Sequence, residues 1–134
     1  MSIQAAIVTL AKANGPIAGF IGTRIANATI PDKLARPNVT HQLVGNVETY
    51  ANDGPVNLNR ATIQLNCYAD KPVQATALAK AVKDLFSGYK GTVGNLTIQS
   101  MFKDDERDAP EPPSTGQTLG IAGVILTYSV NFSE

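Results

Sequence analysis

The chain has 134 residues, with eleven Lys plus Arg set against eleven Asp plus Glu, so its formal net charge is zero at pH 7. That balance argues against binding nucleic acid by releasing counterions from phosphates. Hydrophobic residues make up 43% and aromatics 6%, with no Trp, enough for one core built from Val, Ile, Leu and Ala, which excludes disorder throughout.

Ser2 is the expected N-cap of a first helix running from residue 2 to about 13, with Ile3, Ala6, Ile7 and Leu10 at helical spacing. Asn14-Gly15-Pro16 is expected to stop it. Residues 17–36 space their apolar side chains irregularly and read as a connecting arm, with a short strand near Arg24. Neither a basic leader region nor an uninterrupted apolar run opens the chain, so the expectation is neither signal peptide nor membrane anchor.

From Asn38 to Gly45, Val39, His41 and Leu43 alternate with Thr40, Gln42 and Val44, the pattern of a half-buried strand. Residues 46–57 contain the turn signal Asn52-Asp53-Gly54-Pro55 and read as a long connection. A cleaner strand follows from Leu58 to Tyr68, with Ala61, Ile63, Leu65 and Cys67 inward and Arg60, Thr62, Gln64 and Asn66 outward. The two strands should pair in antiparallel fashion. Asp70-Lys71-Pro72 predicts the start of a second helix with Asp70 as N-cap. Its apolar stripe of Val73, Ala77, Leu78, Ala81, Val82, Leu85 and Phe86 ends at Gly88.

A third strand is predicted over 95–103, with Leu96, Ile98, Ser100 and Phe102 on one face and Thr97, Gln99 and Met101 on the other. Residues 104–118 hold acidic groups and three prolines with almost no apolar side chain, so they read as an exposed loop. The last strand, 119–132, turns Ala122, Val124, Leu126, Tyr128, Val130 and Phe132 to one side. Helices and strands with one apolar face each are satisfied by an α+β fold: a single two-layer domain over 1–134, with a mainly antiparallel four-stranded sheet and two helices packed on one face.

Motifs for chemistry are weak. His41 has no nucleophile or carboxylate at a spacing that marks a partner, so it reads as a structural sheet histidine. Asp104, Asp105, Glu106, Asp108 and Glu111 lack the carboxylate order of a calcium loop and read as a solvated acidic loop. Gly15, Gly19 and Gly22 follow no strand and precede no Gly-Lys-Ser/Thr, so they are hinge glycines and not a phosphate loop. Cys67 is the single cysteine, which rules out an intramolecular disulfide and suits core filling. No catalytic residue, metal site or cofactor is expected.

Charged residues amount to 16%, against about 25% in ordinary soluble domains, while Asn, Gln, Ser and Thr are plentiful. A surface so sparsely ionised is expected to meet other subunits. The sheet face away from the helices, above all Thr62, Gln64, Asn66, Thr127, Ser129 and Asn131, reads in two ways: as an ordinary solvent-exposed antiparallel face, which prefers Thr and tolerates Gln and Asn, or as the candidate subunit-contact surface. Uncharged polar groups can be covered by a neighbour without the cost of desolvating charge.

Taken together, the arm reaching "IPDKLARPNVTHQLVG", the strand "NRATIQLNCYAD", the Ala-rich helix "KPVQATALAKAVKDLF" and the closing strand "GVILTYSVNF" resemble the tail completion or tail terminator (head-tail joining) proteins of tailed bacteriophages. The resemblance spans nearly the whole chain, and its most telling part is Tyr68-Ala69-Asp70 running directly into the second helix. It implies a structural virion protein and no enzyme: a ring, typically a homohexamer, located at the tail end next to the head and assembled in the host cytoplasm. The implied partners are further copies of itself, the tail tube protein and a head-completion or connector protein, with DNA passing through the centre without sequence-specific binding and no membrane involved. The acidic stretch would then serve as a channel or docking loop. The rival expectation is a small cytoplasmic dimeric ligand-binding or regulatory α+β protein, separable from the first by its mass in solution.

Overall fold

A computed structural model describes residues 2–22, 24–27, 37–51, 54–108 and 122–133, with side chains for all of these except 48–51 and 54–58. Two short helices come first, α1 (Ile3–Ala13) and α2 (Gly15–Ile21). The Ser2 hydroxyl accepts from the Ala5 N–H at 3.1 Å and caps α1. Asn14-Gly15-Pro16 does more than stop it. The Asn14 side-chain carbonyl accepts from the Ile17 N–H at 3.1 Å, and Pro16 sits in the first turn of α2, where a missing N–H costs nothing. The expected arm is therefore helical as far as Ile21, and Ile17 and Ile21 are fully buried.

The Arg24 guanidinium ties the end of α2 to the sheet, donating to the Phe20 carbonyl at 3.0 Å and to the Pro37 carbonyl at 2.9 Å. Next to it, β1 (Ile25–Asn27) lies parallel to β2 (Asn38–Ala51), with Ile25 opposite Val39. The strand expected near Arg24 is present. Residues 28–36, expected to complete the arm, lie outside the described residues.

The expected connection over 46–57 is mostly strand. β2 continues to Ala51 and β3 (Gly54–Ala69) begins three residues later, so the two form a hairpin with Ala51 opposite Gly54. The turn signal marks its tip; Asn52 and Asp53 themselves lie outside the described residues. Then comes α3 (Pro72–Phe86), whose N-cap is Lys71 and not Asp70, because Pro72 itself takes the first helical position. At its far end Gly88 adopts φ 76° and its N–H donates to the Met101 carbonyl at 2.8 Å, fastening the helix exit to the sheet.

Two further strands, β4 (Gly91–Val93) and β5 (Leu96–Asp108), precede β6 (Ala122–Ser133). β5 runs five residues further than expected, taking in Asp104, Asp105, Glu106 and Asp108. Residues 109–121, with Glu111 and the rest of the predicted loop, lie outside the described residues. A bulge between Ile98 and Ser100 also changes which side chains face the core: Met101 is buried and Phe102 exposed, the reverse of a strict alternation.

The strand order is β1-β2-β3-β6-β5-β4, in one sheet. The expectation of two helices on a four-stranded, mainly antiparallel sheet is thus corrected, among the described residues, to three helices and a six-stranded mixed sheet. The missed parts are short. β1 and β4 have three residues each, too few to show a period of two, and α2 has seven, scarcely two turns. The sheet is curled like a half-barrel: α1 touches both β2 and β4, which belong to opposite flanks. Bulges in β2 and β5 supply local bends.

Buried apolar residues from the helices and strands form one cluster, in which Ile7, Ile17, Ile63, Leu65, Leu78, Leu126 and Tyr128 are fully enclosed. The inward sets predicted on β3 and β6 face this cluster.

Candidate functional site

The polar face of the sheet is built by the alternation that builds the core. Because Ala61, Ile63, Leu65 and Cys67 of β3 point to the helices, Thr62, Gln64 and Asn66 point away, and β6 does the same with Thr127, Ser129 and Asn131. The register sets Thr62 opposite Ser129 and Gln64 opposite Thr127, with Asn131 opposite Arg60. All six predicted contact residues therefore occupy one face of two adjacent central strands.

This face is bonded to itself. The Gln64 amide donates to the Asn66 side-chain carbonyl at 3.0 Å, and the Asn66 amide donates to the Thr40 hydroxyl on β2 at 3.0 Å. On the other flank the Asn131 amide donates to the Ser100 hydroxyl on β5 at 2.7 Å, and the Ser129 hydroxyl donates to the Asp104 carboxylate. Asn66 and Ser129 are buried although, among the described residues, the helices pack on the other face. Side chains already paired with one another lose less when a neighbour excludes water.

The acidic residues of β5 lie beside this face and around its edge. Glu106 receives Lys83 of α3 at 2.9 Å and Lys103 of its own strand at 3.1 Å. Hydrogen bonds from Lys83, then from Lys103, hold its carboxyl below the usual range. Asp105 has Arg107 at 3.5 Å, and Asp104 accepts from Ser129. The field of this stretch is correspondingly weaker than its acid count implies. Among the described residues no group of three or more His, Cys, Asp and Glu could hold a metal ion.

His41 faces the helices beside Leu65 and is buried, and burial lowers its pKa. Cys67 is fully buried, and burial pushes its thiol up to about 12, so it remains protonated. A groove of about 330 Å³, open to solvent, lies between the α1–α2 corner and α3, lined by Asn14, Pro16, Ala77, Lys80, Ala81, Asp84 and Leu85. The two charges on its wall, Lys80 and Asp84, bond each other at 3.0 Å.

Sequence reasoning placed Ser100 and Phe102 on the face of Leu96 and Ile98, which the structure corrects, and it missed the side-chain links that cross strands. For Phe102 the expectation rested on strict strand alternation, which the bulge between Ile98 and Ser100 resets.

The family model described as tail completion protein gp17 matches residues 5–117. Curated proteins contain no match. Among solved structures, the fold is similar to a chain of the virion of a native gene transfer agent particle, with a TM-score of 0.75 and 17% identity, covering 99% of this chain and 96% of that one.

Proposed function

This chain belongs to the tail completion protein gp17 family, a family of structural virion proteins and not of enzymes, and on that premise we propose that its copies close into a ring that terminates the tail tube and joins it to the head connector. The family match over 5–117 carries the reading. The chain is accordingly a phage tail protein of the virion. Six copies are expected in the ring.

The work of such a ring is steric. One surface copies the end of the tube, the other offers no site for another tube ring, and head-to-tail contacts close the circle. The sparse charge of the chain and the polar face of Thr62, Gln64, Asn66, Thr127, Ser129 and Asn131, on which Gln64, Asn66, Ser129 and Asn131 are already hydrogen-bonded, support a protein much of whose surface meets other subunits. DNA passes through the centre, held by no sequence-specific contact. Asp104, Asp105, Glu106, Asp108 and Glu111 form the channel or docking element. With Glu106 shared by two lysines and Asp105 beside Arg107, docking on a neighbouring protein is favoured over repelling DNA.

The test is removal of the protein from an otherwise complete particle and restoration in trans. Tails of abnormal length, left unjoined to heads and corrected by the restored chain, are the expected result. Normal tails joined to heads in its absence overturn the reading.

A further inference from the structure

Phe102 stands out of the polar face of the sheet. It lies opposite Ser129 of β6, on the side away from the helices, and at 58% exposure it is the one exposed aromatic among the described residues. On its own strand it is flanked by Ser100, whose hydroxyl accepts from the Asn131 amide at 2.7 Å, and by Asp104, whose carboxylate accepts from the Ser129 hydroxyl. An aromatic side chain bordered by polar groups that are already hydrogen-bonded has the pattern of an interface anchor, because the border excludes water at little cost once a partner arrives.

The helix layer carries a hollow on the opposite side of the molecule. Its apolar walls are Pro16, Ala77, Ala81 and Leu85, in the groove of about 330 Å³ between the α1–α2 corner and α3. Because α3 turns Leu78, Val82 and Phe86 to the core and leaves Lys80 and Asp84 73% and 67% exposed, the groove opens away from the sheet. A cavity of about 150 Å³ already holds benzene, so this groove has room for a Phe side chain and its approach.

Charge fits the same arrangement. Among the described residues Asp104 takes part in no salt bridge and accepts only from Ser129. Lys80, on the groove wall, is paired with Asp84 in an exposed i, i+4 bridge, a kind that contributes little and is readily exchanged. Asp104 follows Phe102 by two residues on the same face, roughly 6–7 Å along the strand. Seating the phenyl group in the groove therefore brings an unpaired carboxylate to the wall where Lys80 stands.

We propose that Phe102 of one copy seats in the groove between the α1–α2 corner and α3 of the next, with Asp104 beside Lys80 of the partner subunit. Knob and hollow lie on opposite faces, so every copy offers one of each, and contacts of this head-to-tail kind run from copy to copy until the rotation closes them. Two sheet faces meeting like to like would leave the grooves empty and stop at two copies. The proposal rests on the ring reading and names the surfaces that close it.

Complementary variants test it in the full chain, free and bound to tail tubes, in whichever setting the unmodified chain assembles. Phe102→Asp removes the knob and Ala77→Phe fills the hollow; neither position is buried, so both variants are expected to keep their circular dichroism and lose assembly. Mixed together, each supplies the face the other lacks, and the expected product is a 1:1 pair that grows no further. In a second readout, Phe102→Cys combined with Ala77→Cys under mild oxidation should give a ladder of disulfide-linked oligomers, and neither single variant any dimer. Sheet and helix separate the two positions within one copy, and one helix width of about 10 Å already exceeds the roughly 7 Å that a disulfide tolerates. Buried Cys67 gives no background.

Assemblies that survive Phe102→Asp overturn the contact while leaving the ring intact, and if they no longer attach to tubes, Phe102 meets the tube protein instead. Assemblies lost with Phe102→Asp but never cross-linked through Ala77→Cys, or a mixture that yields no pair, overturn the groove as its seat. Dimers from the Phe102→Cys single variant overturn it in favour of sheet faces meeting. A chain that stays monomeric free and on tubes overturns the ring reading, and this contact with it.

Discussion

The phenolic oxygen of Tyr128, midway along β6, lies 3.0 Å from the hydroxyl of Ser87, the C-cap residue of α3. The Phe86 ring meets the Tyr128 ring edge-on, with centroids 6.4 Å apart. One residue of a central strand thereby locks the end of the longest helix against the sheet. Tyr128→Phe keeps the packing and removes the bond, and should cost about 0.5–1.5 kcal/mol in urea unfolding. Tyr128→Ala, which also opens a cavity, should cost about 3–5 kcal/mol. Equal losses for the two variants would show that the hydroxyl, and not the ring, dominates.

Gly88 turns the chain out of α3 at φ 76°, with open space where a Cβ would sit. Gly88→Ala should therefore be destabilising by backbone strain alone, about 1–2 kcal/mol. Gly19 lies inside α2, also with nothing near its missing Cβ. Gly19→Ala should stabilise by up to about 1 kcal/mol. Thermal unfolding of the two variants should move in opposite directions.

His41 is buried, and its Nδ1 has no partner among the described residues. Burial lowers its pKa below 6.5, so the unfolded chain takes up the proton first as the pH falls. Its contribution to stability is complete above the unfolded value and declines as the pH drops through that value towards the folded one. The unfolding midpoint should fall between about pH 7.5 and about pH 5.5, and His41→Leu should flatten that slope. An unchanged slope in the variant would assign the pH dependence to other groups.

Asn66 and Ser129 distinguish buried from water-accessible partners on the polar face. Asn66→Ala strips Thr40 and Gln64 of their shared partner at a buried position and should cost about 1–3 kcal/mol. Ser129→Ala releases Asp104, an exposed carboxylate that water can solvate, and should cost less than about 1 kcal/mol. Chemical denaturation of the two single variants measures the difference.

Much of the fold was legible because it rests on long periodic elements. The alternation of Ala61, Ile63, Leu65 and Cys67, that of Val124 to Phe132, and the apolar stripe of α3 each repeat often enough to fix which side is buried. The six residues of the polar face follow from the same alternation, since a strand that buries one set must turn the other outward. Seven-residue α2 and three-residue β1 and β4 offered no such repetition. Asn14-Gly15-Pro16 is equally good at ending one helix and starting another, and only the packing of Ile17 and Ile21 into the core decides between them.

By itself, the amino-acid sequence determined the family resemblance, the sparse charge, and the inner and outer residues of β3 and β6, because side-chain periodicity is a local property of the backbone. The tertiary structure alone decided the strand order, the parallel pairing of β1, the bulge that exposes Phe102, and the capture of Glu106 by Lys83 across elements. Those depend on which distant segments meet in space, and nothing in a local repeat specifies the register between strands far apart in the chain.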